Sequence, residues 1–334
     1  MAILLRNRGH RWAGLAGGLL VLLVLSGLSV AYGTVPTGWR TVVQAYTRFD
    51  GSDVHLIITT VRVPRTLLAL VVGASLGIAG LLLQLLTRNP LADVEVMGIN
   101  GGAALAVVVA ATVFGASSLT LFTYLACLGA ALAGVTAYVL GSLGREGPTP
   151  LKLTLAGAAV WALCESLTSG FLTANERALE EVLFWLRGSV AGRQLEGFLP
   201  LIPGMAAGWL AAWWVAEPLR TLLLGDDVAR GLGQHTLRVK LAAGAAAIVL
   251  AGTSVAAAGP IGFVGLVAPH LARALVGLEA RWLVAYSGLL GAVLLLAADM
   301  GGRFLTMPEE VPLGVMTAVL GAPVFVVLGR RELR

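Results

Sequence analysis

Charge is what this chain lacks most. Of its 334 residues only 12% are Asp, Glu, Lys or Arg, about half the share of a soluble globular domain. That excludes a water-soluble protein of this size. Lysine is nearly absent: Lys152 and Lys240 are the only two, and neither follows glycine. A Gly-Lys-Ser/Thr phosphate loop is therefore excluded, and with it ATP hydrolysis of that class by this chain alone. Cys127 and Cys164 both lie in apolar runs. They read as packing thiols and give no disulfide framework. The histidines at 10, 55, 235 and 270 have no metal-ligand spacing. No Gly-x-Ser-x-Gly, His-Glu-x-x-His or paired-cysteine motif occurs, so the expectation is a chain that does no covalent chemistry and binds no metal.

What is there is apolar: 57% of the residues, with a mean hydropathy of +0.87. These residues fall in runs of the length a helix needs to cross hydrocarbon, about 20. The strands of a membrane β-barrel alternate and span only about 10. The expected fold is therefore all-α, a single polytopic transmembrane helical bundle over residues 1–334. Spans are placed near 12–33, 64–86, 97–114, 119–141, 151–173, 198–216, 239–258, 260–275, 282–302 and 312–329. The third and eighth are the weakest, being short or broken by proline. The basic start and the Ser29-Val30-Ala31 triplet resemble a signal peptide. The run Trp12–Ala31 is longer than the about 7–15 residues of a signal core, so it is expected to stay as the first span.

Ten spans put both termini on one side. Of the 23 Lys and Arg, 15 fall on that side and 8 on the other, which makes the termini cytoplasmic. This asymmetry accounts for the net charge of +5, and no nucleic-acid partner is expected. The long loops 34–63 and 174–197 lie outside, the second with a short surface helix around Glu176–Leu186.

The most polar stretch is Glu217–Lys240, where eight of 24 residues are charged if His235 is counted. Pro218 suits the first turn of a helix. Asp226 can cap a second short helix carrying Val228 and Leu232, which Gly231 and Gly233 end. Such a segment either grips a partner or is a solvated connection between spans. Inside the spans, Glu165 stands in the fifth, and Asp299 in the ninth, four residues before Arg303, so that pair can meet on one helix face. A relay for ions or protons and a helix-end pair beside a wet cavity both remain open. Gly73, Gly77 and Gly80 share a face of the second span, which permits close helix approach. Two apolar segments are interrupted by Gly and Pro, 88–103 and 259–270, at corresponding places in two groups of spans, two to five and seven to ten. Such pairs can mark a transport path.

Taken together, Arg62-Val63-Pro64-Arg65, GASLGIAGLLLQ at 73–84, RNPLAD at 88–93, LTLAG at 153–157, LLGDDVARGLG at 223–233, GPIGFVGLVAPHLAR at 259–273, AADMGGR at 297–303 and VPLGVMTAVLGAPVF at 311–325 are similar to FecCD-type permeases. These are membrane subunits of bacterial ATP-binding-cassette importers for iron-siderophores, haem and vitamin B12. The resemblance spans nearly the whole chain. It implies ten helices per subunit and a dimer, with an identical or homologous second permease, around a central path. It also implies a cytoplasmic ATPase dimer that binds ATP-Mg, a periplasmic or extracellular substrate-binding protein, and the bacterial inner membrane as location. No cofactor is implied for this chain itself. Leu222, Gly225, Asp226, Ala229, Leu232 and Gly233 would form the contact with the ATPase. Arg62, Arg65 and Arg303 would present donors to carboxylates of the binding protein, interfacial anchoring being the alternative. The fifth helix, with Glu165, would line the path. Thr149 and Pro150 would lie near a cytoplasmic constriction, and Asn100 would sit at the path.

Two departures stand out. Val94 replaces the usual Pro after RNPLAD, and Ile99-Asn100-Gly101-Gly102 replaces a Ser-rich stretch. The run 166–189 looks most like ferric-siderophore members, with haem and cobalamin as alternatives. A rival of another class is an ion-coupled secondary transporter working through Glu165 or Asp299. A membrane enzyme is disfavoured by the missing catalytic constellation.

Overall fold

The computed structural model describes residues 4–332 apart from 6, 34–36, 145–148, 176–181, 184, 194 and 306–308, with side chains to residue 326. The surface helix expected around Glu176–Leu186 falls mostly outside the described residues. Among these residues every regular element is helical. In chain order they are α1 (Arg8–Ala31), α2 (Trp39–Thr47), α3 (Asp53–Leu56), α4 (Val63–Thr87), α5 (Ile99–Phe114), α6 (Leu119–Ser142) and α7 (Pro150–Ala174). Then follow α8 (Leu195–Phe198), α9 (Ile202–Leu222), α10 (Asp226–Gly231), α11 (Thr236–Ala258), α12 (Val264–Val276), α13 (Ala280–Leu305) and α14 (Leu313–Glu332). A wider π-helical turn, Ile57–Arg62, joins α3 to α4 in one rod.

Seven of these rods are long and apolar enough to cross a membrane, and α5, α12 and α14 are shorter apolar helices. Each of the ten expected spans has an apolar helix, and the two weakest are among the three short ones. The boundaries follow local chemistry. Thr149 accepts a hydrogen bond from the Lys152 amide, and Pro150 follows it as the first residue of α7. Ser118 does the same for α6 through the Leu121 amide, both satisfying amides that a helix start leaves free. The π-helical turn leads into α4 with Pro64 in its first turn, and α4 stops at Arg88, whose φ of 51° is left-handed.

Burial ranks the helices. In α4 78% of the membrane-length window is buried, against 22% in α7 and 6% in α1. So α4 is the hub, α1 lies on the rim, and α7 has a largely open face. The hub works because of its glycines. A Cβ on Gly73 would strike the Gly291 carbonyl of α13, one on Gly77 the Ser287 carbonyl, and one on Gly80 the Gly265 backbone of α12. Without a hydrophobic gain between helices in lipid, this closeness supplies the packing energy. α1 is tied on from outside: Tyr286 on α13 donates to the Arg11 carbonyl at 2.7 Å.

The two interrupted segments meet in space. Asp93 in the first break accepts from the Phe263 amide at 3.1 Å, 170 residues away. Asn100 at the start of α5 donates through Nδ2 to the Ile261 carbonyl at 3.4 Å. Phe263 has φ +68°, rare for a residue with a Cβ. The Asp93 contact and the packing of its ring on Gly321 hold it there. Irregular backbone inside a bilayer is tolerated where protein buries it, and here each break covers the other.

Candidate functional site

At the end that carries the described parts of both termini, the segment 217–240 folds differently from the local expectation. Pro218 does not start a helix. It lies within α9, which runs on to Leu222. Asp226 does not cap α10 either: the preceding position is Gly225, with φ +115°, and no side chain caps the turn. The carboxylate of Asp226 is used elsewhere. Its Oδ1 receives Arg88 at 2.5 Å and its Oδ2 receives Lys240 at 2.5 Å. Arg88 also donates to the Leu222 carbonyl at 2.7 Å. The start of α10 is thus clamped to the end of α4 and the beginning of α11. Burial alone would raise the pKa of Asp226, but the bond and charge of Lys240, with Arg88 beside it, outweigh that and lower it.

The six coupling residues divide by role. Leu222 and Ala229 are buried and seat the segment on the bundle. Gly225 and Gly233 turn the chain at positive φ, 115° and 81°, which a Cβ would resist. Asp226 is the clamp. Leu232 is 70% exposed just past the end of α10, one turn beyond exposed Val228, and Leu224 at 68% is exposed in the turn before α10. Exposed apolar side chains on a charged segment mark a contact surface. Arg88, Lys240 and Leu224 were not singled out from sequence, although Arg88 opens the RNPLAD motif and could have been.

At the opposite end lie Arg62, Arg65 and Arg303, the arginines expected to face a binding protein. All three turn inward and bond within the chain, Arg303 keeping a buried Nε without a hydrogen-bond partner among the described residues. Arg62 donates to the Val30 and Ala31 carbonyls at 3.1 and 3.2 Å. Arg65 pairs with Asp299 at 2.8 Å and with Glu310 at 2.8 Å. Arg303 pairs with Asp299 on the same helix face and donates to the Ser29 carbonyl at 3.0 Å. Asp299 is accordingly a structural anion between two arginines, as its spacing to Arg303 anticipated. Arg193 is different. Two clefts of about 360 and 510 Å³ flank it. Its Nε and Nη2 are buried without a hydrogen-bond partner among the described residues. Nothing in its sequence context pointed to it.

The wall of the bundle holds the third candidate, a cavity of about 520 Å³ between α5, α7, the break before α12 and the start of α14. Glu165 and Asn100, two of the residues expected at a path, line it together with Glu95. Thr149 and Pro150 lie at the far end of α7 and do not reach it. Glu165 is exposed in mid-helix, which fits water or protein opposite it and not lipid.

With this geometry established, comparison with known proteins is informative. Residues 19–331 match the model of the FecCD transport family. The chain is 46% identical over 326 residues to the Probable siderophore transport system permease protein YfiZ of Bacillus subtilis, covering 98% of each. It is 40% identical over 319 residues to the ferric enterobactin transport system permease protein FepD of Escherichia coli, covering 95% of each. A solved inward-facing ABC transporter described as of the metal-chelate type superposes with a TM-score of 0.81 at 29% identity, over 95% of this chain and 98% of that one. Its ten apolar helices, its paired breaks and these matches agree: the chain belongs to the FecCD transport family.

Proposed function

We propose that this chain is the membrane-spanning permease of an ATP-binding-cassette importer that moves an iron chelate, a ferric siderophore in the first place, across a bacterial cytoplasmic membrane. The observation that carries the reading is the α10 segment. It presents exposed Val228 and Leu232 to something outside the bundle, and it is clamped by Asp226 to α4, the most buried helix. A push on α10 therefore reaches the core directly. A separate ATPase dimer binding ATP-Mg supplies that push, and this chain hydrolyses nothing. A second permease, identical or homologous, completes the path opposite the open face of α7. Thr149 and Pro150 gate its inner end. The termini and α10 face the cytoplasm, and a substrate-binding protein docks at the other end. There Arg193 has donors to spare, while Arg62, Arg65 and Arg303 hold that end in shape.

The names of the relatives favour siderophores over haem or cobalamin. An ion-coupled secondary transporter needs ionisable groups that can cycle. Asp299 is locked between two arginines, which leaves Glu165 with few partners for such a relay. The test is reconstitution with and without the ATPase. Chelate uptake should require the ATPase and hydrolysable ATP. Full uptake driven by an ion gradient alone would overturn the reading.

A further inference from the structure

The cavity beside α7 is unusual in what it leaves unpaired. Asn100 is 4% exposed, yet its Oδ1 has no partner among the described residues, and Thr168 is 5% exposed, yet its Oγ1 has none among them. Both line the cavity. Buried polar atoms are nearly always paired, and an exception calls for a cause. The Asn100 amide is also oriented. Its Nδ2 is held by the Ile261 carbonyl, so the oxygen is the atom left over.

Two carboxylates stand on the same wall, Glu95 and Glu165. Glu95 is pressed so close to Gly262 that a Cβ there would strike its Oε2. Ionised carboxylates accept hydrogen bonds and donate none. Trp161 adds an aromatic face, which attracts cations. Arg187 is the one cation among the described lining residues. It lies toward the outer rim, where its carbonyl packs against Gly314 at the start of α14. With both glutamates ionised the wall carries a formal charge of −2 + 1 = −1 and a surplus of acceptors.

We propose that this wall selects cargo by charge and by donor content. It admits neutral or cationic chelates that carry N–H or O–H donors, the trihydroxamate class, and resists polyanionic chelates, the tricatecholate class. The proposal rests on the importer reading above. Three hydroxamates balance ferric iron to a neutral complex, and a pendant amine makes it a cation. Three catecholates leave a trianion. A trianion facing fixed carboxylates is disfavoured by like charge. An amide or ammonium donor instead satisfies Asn100 Oδ1.

The experiment uses cells whose only iron importer is the complete assembly with this permease. Uptake of radio-iron is measured from a cationic ferric trihydroxamate and from a ferric tricatecholate, for wild type and for the double variant Glu95→Gln, Glu165→Gln. The binding protein is the same in both strains, so its own preference cancels in the ratio of ratios. The tricatecholate-to-trihydroxamate uptake ratio should rise about tenfold in the variant, the equivalent of about 1.4 kcal/mol. A ratio that moves by less than about twofold overturns the filter. If the double variant does not reach the membrane, Thr168→Val takes its place. It removes a hydroxyl that bonds nothing among the described residues, and should lower trihydroxamate uptake several-fold while leaving tricatecholate uptake unchanged. Equal effects on both chelates would again overturn the filter. Wild-type cells that take up neither chelate would sink the importer reading and the filter with it. Wild-type uptake with an unmoved ratio would sink the filter alone.

Discussion

Asp226 and Lys240, fourteen residues apart, meet at 2.5 Å between Oδ2 and Nζ, while the other oxygen of the same carboxylate holds Arg88. One side chain thus ties a surface helix to two core helices. Replacing it tests the tie directly. Asp226→Ala should lower chelate transported per ATP hydrolysed by about tenfold. Partly exposed ion pairs contribute only about 0.2–1 kcal/mol each, so the melting temperature should move little. Simultaneous measurement of hydrolysis, uptake and thermal unfolding separates the two effects. Unchanged coupling would remove the role.

The same carboxylate sets a pH expectation. Its pKa in the folded protein is lowered, because Lys240 and Arg88 outweigh the effect of burial. A lowered folded value means that the clamp contributes above the ordinary carboxylate pKa of about 3.9 and is lost as pH falls through the folded value. Across about pH 6–8 the coupling ratio should therefore be flat as far as this group is concerned. Asp226→Asn should depress the ratio at every pH in that window. A ratio that collapses from pH 8 to 6 in the wild type but not in the Asn variant would contradict the assignment.

Arginines at the opposite end should fall into two classes. Asp299→Asn leaves Arg65 and Arg303 facing each other without their shared anion. Removing one partner of a buried pair costs about 3–5 kcal/mol, so detergent-solubilised protein should melt several degrees lower. Arg65→Ala should behave likewise. Arg193→Ala breaks no bond in the described structure and should leave the melting temperature alone. It should weaken binding-protein affinity by roughly ten- to hundred-fold if a charge-assisted bond worth about 1.5–3 kcal/mol is lost. Calorimetry or fluorescence melting and a docking assay, run on all three variants, decide between the classes.

Close backbone packing makes Gly77 intolerant. A valine there would drive its Cβ into the Ser287 carbonyl, which belongs to a helix backbone and has nowhere to go. Overpacking of this kind costs about 1–3 kcal/mol or more, so folded yield and melting temperature should fall together. Gly17, with open space around its Cβ position, should accept alanine without either change.

Orientation is open to chemical labelling. In a cysteine-free background, Asp227→Cys, at a fully exposed side chain on α10, should resist an impermeant thiol reagent applied to intact cells and react after lysis. Arg48→Cys, exposed beyond α2, should react from outside. The reverse pattern would invert the topology.

Much of this architecture is legible in the sequence, for definite reasons. Apolar runs give ten helices because lipid fixes a minimum length. The two short ones show themselves through Pro and Gly at 88–103 and 259–270. Asp299 and Arg303 could be paired because four residues make one helical turn. Arg65 could not be added to them, since 234 positions intervene and no local rule spans that distance. The same limit misled the reading of Asp226. Local chemistry makes it a cap, but folding brings Arg88 and Lys240 within reach, and two cations outcompete a backbone amide. Pro218 was read as a helix start, yet neighbouring helices can re-satisfy the amide it lacks and α9 continues through it. The inward turn of the docking arginines was equally hidden, because burial depends on what packs above them.

Asp93 deserves a last look for what it forbids. Its carboxylate, set in one broken segment, grips the amide that opens the other. Pulling the two apart would strand an anion and bare peptide groups in oil, so they travel as a unit with the hub they are stapled to. Whatever motion the bundle makes, this joint is carried along by it and not opened.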